Sequence, residues 1–389
     1  MSAQPITSAS PVTLAREMAP FLSAKADEAE EARRMSDEVS QTLAQKGFFS
    51  MWVPTEFGGG GVALAPSLES IEILAQADPS VGWVVGIGVS STLVVPHFDP
   101  EIARAIFSRP ETVICGVYAP KGHAEADGDH HFRVSGQWPF GSGTQNADWV
   151  LCGSHFFRDG EILTDSHGAP RSHMVAVPSS EVEFLDTWHT SGMRGTGSTD
   201  YRLNDVRVSE DYIAAWKHHA MPDNPLYRIP QLTLLATAFG SIALGLARGA
   251  LDELHELANG KVATGQSKRM AERRDVQGEV ARAEVKLRAA RGHYYECIEA
   301  IWEAAREGRV GLDERSALRL SMLHAVETGA EVARSAYHLG GATAIYEKSR
   351  LQRFFRDSHV ITQHVQVRPD LYSVIGSHLL GCPKATGVL

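Results

Sequence analysis

Cysteine is scarce in this chain. Cys115, Cys152, Cys297 and Cys382 lie far apart and none forms a C-x-x-C pair. That spacing excludes the common zinc-ribbon and finger patterns and supplies no disulfide framework, so no metal, reduced thiols and a cytoplasmic location are expected. Positive charge is also in deficit: 37 Lys and Arg stand against 47 Asp and Glu, a formal net charge of -10. With no long basic stripe to offset it, a nucleic-acid partner is not expected. Long apolar runs are missing too. The longest, Leu232 to Leu246, is broken by Thr, Gly and Ser, so no membrane span is expected. The opening MSAQPITSASPV has no basic start followed by an apolar run, so no export signal is expected. No strand–GxGxxG–helix unit and no P-loop occur, which disfavours a nucleotide-binding α/β fold.

What is present divides into three zones. The 389 residues are 43% apolar and 22% charged, enough for a folded protein of two or three lobes. From Thr13 to about Arg109 the pattern is helical, with apolar residues at three- and four-residue spacing; Pro66–Gln76 is one amphipathic example. From about Glu111 to Val208 the period switches to two, with turn residues between. Strands are expected over Val113–Tyr118, His131–Ser135, Trp149–Cys152, His173–Val177 and Tyr201–Val208, forming a small antiparallel β domain. From about Pro222 long helices return. Val276, Val280, Ala283, Leu287 and Ala290 share one face, and Leu318, Met322, Ala325, Gly329, Ala333 and Tyr337 share another, the pattern of a four-helix bundle. The expected fold class is α+β, mainly α. It comprises an N-terminal helical domain (1–110), a middle antiparallel β domain (111–215) and a C-terminal four-helix bundle (216–389).

Several motifs then fall in order along the chain. Phe48 to Gly61 reads FFSMWVPTEFGGGG, Gly136 to Gly143 reads GQWPFGSG with Asn146-Ala147-Asp148-Trp149 after it, and Gly192 to Ser198 reads GMRGTGS with Asp205-Val206-Arg207-Val208 after it. Leu339-Gly340-Gly341 and Arg353-Phe354-Phe355-Arg356-Asp357 close the series. Together they resemble the acyl-CoA dehydrogenase fold over nearly the whole chain. The wording of the second, third and last motifs is closer to its group D flavin monooxygenases, two-component hydroxylases of phenols and related compounds.

The resemblance implies a reaction, and one absence selects the branch. The dehydrogenases need a carboxylate to take an α-proton while flavin takes the hydride. They place it either soon after the C-terminal Arg-Asp or on the first long bundle helix. Here Arg356 to Val367 contains no Glu, and Arg228 to Gly249 contains no acidic residue. His364 stands in the vacant place, where the resemblance implies a functional histidine. A C4a-hydroperoxyflavin needs donors nearby, and imidazole supplies a donor or a base near neutral pH. The implied activity is therefore hydroxylation of a small aromatic or heteroaromatic substrate by O2 and reduced flavin, FADH2 or FMNH2. A separate NAD(P)H:flavin reductase would supply the flavin, and the scaffold implies a homotetramer.

Each candidate residue has a plain structural alternative. Ser142 is a candidate for catalysis beside His364, or a turn serine. Trp138 and Phe140 are candidates to contact flavin, Trp138 being equally a core strand residue. Thr196, Gly197 and Ser198 offer hydroxyls and N–H groups to flavin, or form a glycine-rich turn. Arg194, Arg274 within the cluster Lys268-Arg269 and Arg273-Arg274, and Arg353 suit phosphate, or form surface charges and bundle ion pairs. Trp83, Ser90, Ser91 and His97 are candidates to roof a substrate pocket, or ordinary helix residues. His359 is five residues from His364, about 140° around a helix, a poor spacing for a shared metal. Two other readings stay open: an acyl-CoA-acting flavoenzyme with an unrecognised base, and a helical scaffold that has lost flavin.

Overall fold

The computed structural model describes residues 9–215, 223–262, 265, 267–382 and 386–389. Pro222, where the second helical zone was expected to begin, and most of the opening segment lie outside the described residues. Most of the N-terminal helices start where the sequence supplies an acceptor for a free backbone N–H or a helix-compatible proline. The helix α1 (Pro11–Ala32) is capped by Ser10 with Pro11 in its first turn, and α2 (Asp37–Gln45) is capped by Ser36. The expected amphipathic segment is α3 (Leu64–Ala77). It is followed by α4 (Pro79–Ser91), capped by Asp78 and buried almost all round, and by α5 (Pro100–Ile106), capped by Asp99.

Seven strands form one sheet: β1 (Ile114–Ala126), β2 (His131–Trp138), β3 (Trp149–Arg158), β4 (Glu161–Ile162), β5 (Ser172–Pro178), β6 (Glu183–Leu185) and β7 (Asp200–Ser209). Their order is β4-β3-β1-β2-β7-β6, with β5 also on β3. The sheet is mixed, not antiparallel as expected: β1 and β3 run parallel, Ile114 beside Trp149 and Glu125 beside Phe157. The reason is topological. β2 carries the chain back along one edge of β1, and the chain then passes across the end of β1 to its other edge, so β3 runs the same way as β1. Residues 139–148 make that crossover, and they include Phe140 and Ser142.

The C-terminal bundle is α6 (Gln231–Gly260), α7 (Arg274–Arg306), α8 (Leu312–Gly340) and α9 (Arg350–Ile361), followed by α10 (Asp370–Leu379). α6 and α8 run parallel, with Gly329 against Ala243 and the Lys261 ammonium donating to the Gly340 carbonyl. Between them α7 runs the opposite way. The Tyr294 hydroxyl donates to the Thr237 carbonyl, and Arg228 donates to the carbonyls of Ala305 and Arg306. α6 also packs on α3, so closely that a Cβ at Gly245 would sit 2.0 Å from the Glu72 carbonyl oxygen. The small residues of α6 are therefore a packing requirement.

Two segments, Pro79–His97 and Gln231–Gly260, are long and apolar enough to cross a membrane by length and composition. This departs from the expectation drawn from the interrupted run at Leu232. Their most apolar windows are 94% and 89% buried within the protein, which is the setting of core helices. One large core joins both helical regions to the sheet, and a smaller cluster of Val53, Phe57, Val94, Phe98, Ile106, Leu151 and Met174 lies beside it.

Candidate active site

Two turns meet at the end of the sheet. One is the β2–β3 crossover with Ser142; the other is the Gly192–Ser198 turn that follows β6. Backbone bonds join them: Gly141 N–H donates to the Thr199 carbonyl at 2.9 Å and Gly143 N–H to the Thr196 carbonyl at 3.2 Å. Gly143, at φ +71°, lies so close to α4 that a Cβ would be 2.9 Å from Val84, so this turn tolerates no side chain there.

The join aligns three buried hydroxyls. Ser142 Oγ is 2.6 Å from Ser198 Oγ, which is 2.6 Å from Thr196 Oγ1. The direction of the chain follows from its ends. Trp83 Nε1–H, from α4, donates to Ser142 at 3.0 Å, and Thr196 donates to the Met193 carbonyl at 2.8 Å. A hydroxyl has one proton to give. Thr196 has used its own, so Ser198 donates to Thr196 and Ser142 donates to Ser198. The whole chain is polarised from Trp83 toward Met193.

His364 faces the same tryptophan. Its ring lies 5.5 Å from Trp83, edge to face, and 4.2 Å from Phe239 of α6. Nδ1 accepts the Gln366 backbone N–H at 3.2 Å, so the neutral ring carries its proton on Nε2. Burial, and then the positive charge of Arg319, lower its pKa to about 4. At neutral pH His364 is an uncharged donor. Of the two roles imidazole offers, the geometry favours holding a proton over removing one, because the nitrogen able to accept is already occupied.

A second layer fixes these turns from behind. Asp357 of α9 accepts the Met193 N–H on Oδ1 at 2.6 Å. Its other oxygen has no partner among the described residues, and burial raises its pKa to about 7. Arg356 donates to the Ser191 carbonyl and, at 2.7 Å, to Glu30 of α1. Arg194 donates to the Glu30 carbonyl at 3.2 Å, so it is engaged with α1.

The structure thus brings together Trp83, Ser142, Thr196, Gly197, Ser198 and His364, and it separates others. Trp138 is fully buried, its N–H donating to the Gly153 carbonyl at 2.7 Å and its ring stacked on Tyr201. It presents no surface to a cofactor, which corrects the flavin-contact expectation. Phe140, in contrast, is 71% exposed at φ +63°, edge-on to Trp188 at the lip of the site. Arg353 is buried and paired with Asp27 of its own chain, so it does not reach outward. Arg274 is exposed at the start of α7, beside the C-terminal end of α6; next to it Arg269 pairs with Glu272 and Arg273 with Asp275. Lys268 is exposed there too, and none of this cluster joins the hydroxyl chain. His359 is exposed and rests on Phe355. Ser90 spends its hydroxyl on the Gly86 carbonyl, and Ser91 is buried in α4. His97 lines two adjoining cavities of about 300 and 290 Å³, with Tyr118, His173, Tyr227 and Gln231.

Phe239, Trp188 and Asp357 are site residues that sequence reasoning did not assign to the site. Phe239 lies in an apolar run where nothing distinguishes it from core. Trp188 follows a short strand that periodicity did not show, and Asp357 reads as part of a structural motif.

Comparison with known proteins agrees with this architecture. The acyl-CoA dehydrogenase N-terminal domain matches residues 13–98 and its C-terminal domain residues 237–369. The indole-3-acetate monooxygenase of Pseudomonas putida is 34% identical over 94% of this chain and 92% of its own. The oxygenase component of an FADH2-dependent resorcinol hydroxylase from a Rhizobium species is 28% identical, over 94% of this chain and 92% of its own. The crystal structure of the HsaA monooxygenase from M. tuberculosis superposes with a TM-score of 0.83 at 25% identity, covering 97% of this chain and 99% of that one. The fold and its hydroxyl-lined site define an oxygenase built on a dehydrogenase scaffold. The chain belongs to the acyl-CoA dehydrogenase family, in its branch of flavin-dependent monooxygenases that use reduced flavin and O2.

Proposed function

We propose that this chain is the oxygenase component of a two-component system and hydroxylates a small aromatic or heteroaromatic substrate. The observation that carries the reading is the polarised chain Trp83–Ser142–Ser198–Thr196 facing a neutral His364. Its hydroxyl protons are passed along to the Met193 carbonyl, so toward a ligand it offers acceptor oxygens and the His364 Nε2–H, with no carboxylate among its members to take a carbon-bound proton. The residues fit a flavin. The exposed Phe140 with Trp188 offers an aromatic lip to a planar ring. The Ser142, Thr196 and Ser198 hydroxyls and the glycine-rich turns offer polar contacts to its edge. Bound reduced flavin supplies the electrons that activate O2 for transfer of one oxygen atom to the substrate. His364, through Nε2–H, would hold a proton at the reacting oxygen. Trp83 and Phe239 would exclude water, and His97, Ser91 and the helices around them would form part of the substrate enclosure.

The test is to mix the protein anaerobically with reduced FMN or FAD, add O2 and follow the flavin absorbance. A long-lived transient is expected, and the flavin giving the longer lifetime is the preferred one. Immediate reoxidation, together with reduction of bound flavin by an acyl-CoA in the absence of O2, would overturn the reading in favour of a dehydrogenase. A protein that binds neither flavin would point to a scaffold. The same proposal includes a separate NAD(P)H:flavin reductase, a homotetramer and a cytoplasmic setting, the last consistent with four free cysteines.

A further inference from the structure

Arg319 of α8 is 2% exposed. Its Nε and Nη1 have no partner among the described residues, and Nη2 donates to the Val388 carbonyl at 3.3 Å. Burial pushes its pKa down, with Arg368 adding to the effect, but only to about 10, so the group stays cationic. A buried cation with free N–H groups is costly, and one held in place by neutral carbonyls is not neutralised. Arg315, one turn earlier, takes the Thr386 and Leu389 oxygens, so the C-terminal segment is shared between the two arginines.

Two more buried polar atoms in the bundle also lack partners among the described residues: Ser316 Oγ and Thr233 Oγ1. Ser316 precedes Arg319 by three residues, on the same face of α8. Thr233 is on α6. Because α6 and α8 run parallel with Ala243 against Gly329, stepping back ten residues along both puts Thr233 level with Arg319 but turned to the other side of the pair, so Thr233 takes no part with Arg319. Phe239, which carries the His364 ring at 4.2 Å, is less than two turns further along α6. The turn that His364 caps packs on α8, and the Arg319 charge is felt at His364. Arg319 and Ser316 thus stand on α8, on the bundle side of the Phe239 and His364 rings.

We propose that Arg319, assisted by Ser316, is a specificity subsite for the carboxylate of a small aromatic acid whose ring lies against Phe239 and His364. This inference rests on the oxygenase reading and narrows its substrate class from aromatic compounds to aromatic monocarboxylates. A guanidinium makes charge-assisted bonds to a carboxylate that a neutral amide of the same shape cannot match.

The probes are indole-3-acetate and indole-3-acetamide, titrated calorimetrically and anaerobically into protein holding reduced FAD. The wild type is expected to bind the acid about 10- to 100-fold more tightly than the amide. Arg319→Met should remove that preference, with a thermal midpoint equal to or above wild type, since an unpaired buried charge is gone. Arg319→Lys should keep part of it. Equal affinities in the wild type, or a preference retained in Arg319→Met, would overturn the subsite. So would a lowered midpoint with both ligands lost, which would mark Arg319 as structural. If the wild type prefers the acid yet gives no transient with O2, the subsite stands and the oxygenase reading fails.

Discussion

Ser142 is the joint between α4 and the sheet turns, because it accepts from Trp83 and donates to Ser198. Ser142→Ala leaves the Trp83 N–H and the Ser198 oxygen unpaired in a buried place, which costs about 1–3 kcal/mol. The expected outcome is a lower denaturation midpoint and about 10-fold or greater loss in product formed per NADH oxidised. His364 makes a separate prediction. With its pKa near 4, the ring does not titrate between pH 6 and 8, so product yield should show no inflection there from this residue. Stability responds at lower pH. The unfolded chain takes up a proton on this histidine near pH 6.5, the folded chain only near 4. The stabilising contribution is therefore present above about pH 6.5 and is lost as pH falls from there through 4. His364→Gln should flatten that part of the thermal midpoint against pH; an unchanged profile would contradict the buried neutral ring.

At the level of elements, α9 holds the Gly192–Ser198 turn through a single carboxylate. Asp357 is raised from 3.8 to about 7 by burial, the opposite sense to His364. Its proton is bound more tightly in the folded state, so its contribution is full below pH 3.8 and is lost as pH rises through 7. Asp357→Asn keeps an acceptor for the Met193 N–H without a charge. The variant should match wild type in acid and exceed its thermal midpoint above pH 7. A midpoint that drops at every pH would show that the charge itself holds the turn. The α3–α6 contact gives a second expectation. Gly245→Ala forces a methyl into the space of the Glu72 carbonyl, and the helices must separate. Destabilisation of about 1–3 kcal/mol is expected by urea denaturation. These contacts explain why some elements were legible in the sequence and others not. Capping residues mark α1, α2, α4 and α5, and apolar spacing marks α3, α7 and α8. The parallel pairing of β1 and β3 leaves no such mark, since alternation shows that a strand exists but not which way its neighbour runs.

For the whole molecule, the proposed division of labour has a simple readout. The protein alone should oxidise no NADH, and added flavin reductase with FMN or FAD should start turnover. NADH consumption by the purified chain would contradict it. Assembly has its own test. Val285, Ile345, Tyr346, Leu379 and Leu380 are exposed apolar residues of the C-terminal region, and burying them between copies is favourable. Light scattering after size exclusion is expected to give four times the chain mass.

The sequence by itself determined the order helical, strand, helical, the line of motifs from the Phe48 turn to Asp357, and the chemistry that the missing carboxylates exclude. These are local properties, carried by spacing and composition. It also named Trp83, Ser142, Thr196, Ser198 and His364, as separate candidates far apart along the chain. Only the tertiary structure decided that Trp83 donates to Ser142 and that Trp138 is core. It decided too that Arg353 is tied to Asp27, and that an arginine which reads as an ordinary position on a bundle helix, Arg319, is buried with no counter-charge paired to it among the described residues. Each of those outcomes depends on which elements meet, and a buried partner leaves no periodic trace in the chain that lacks it.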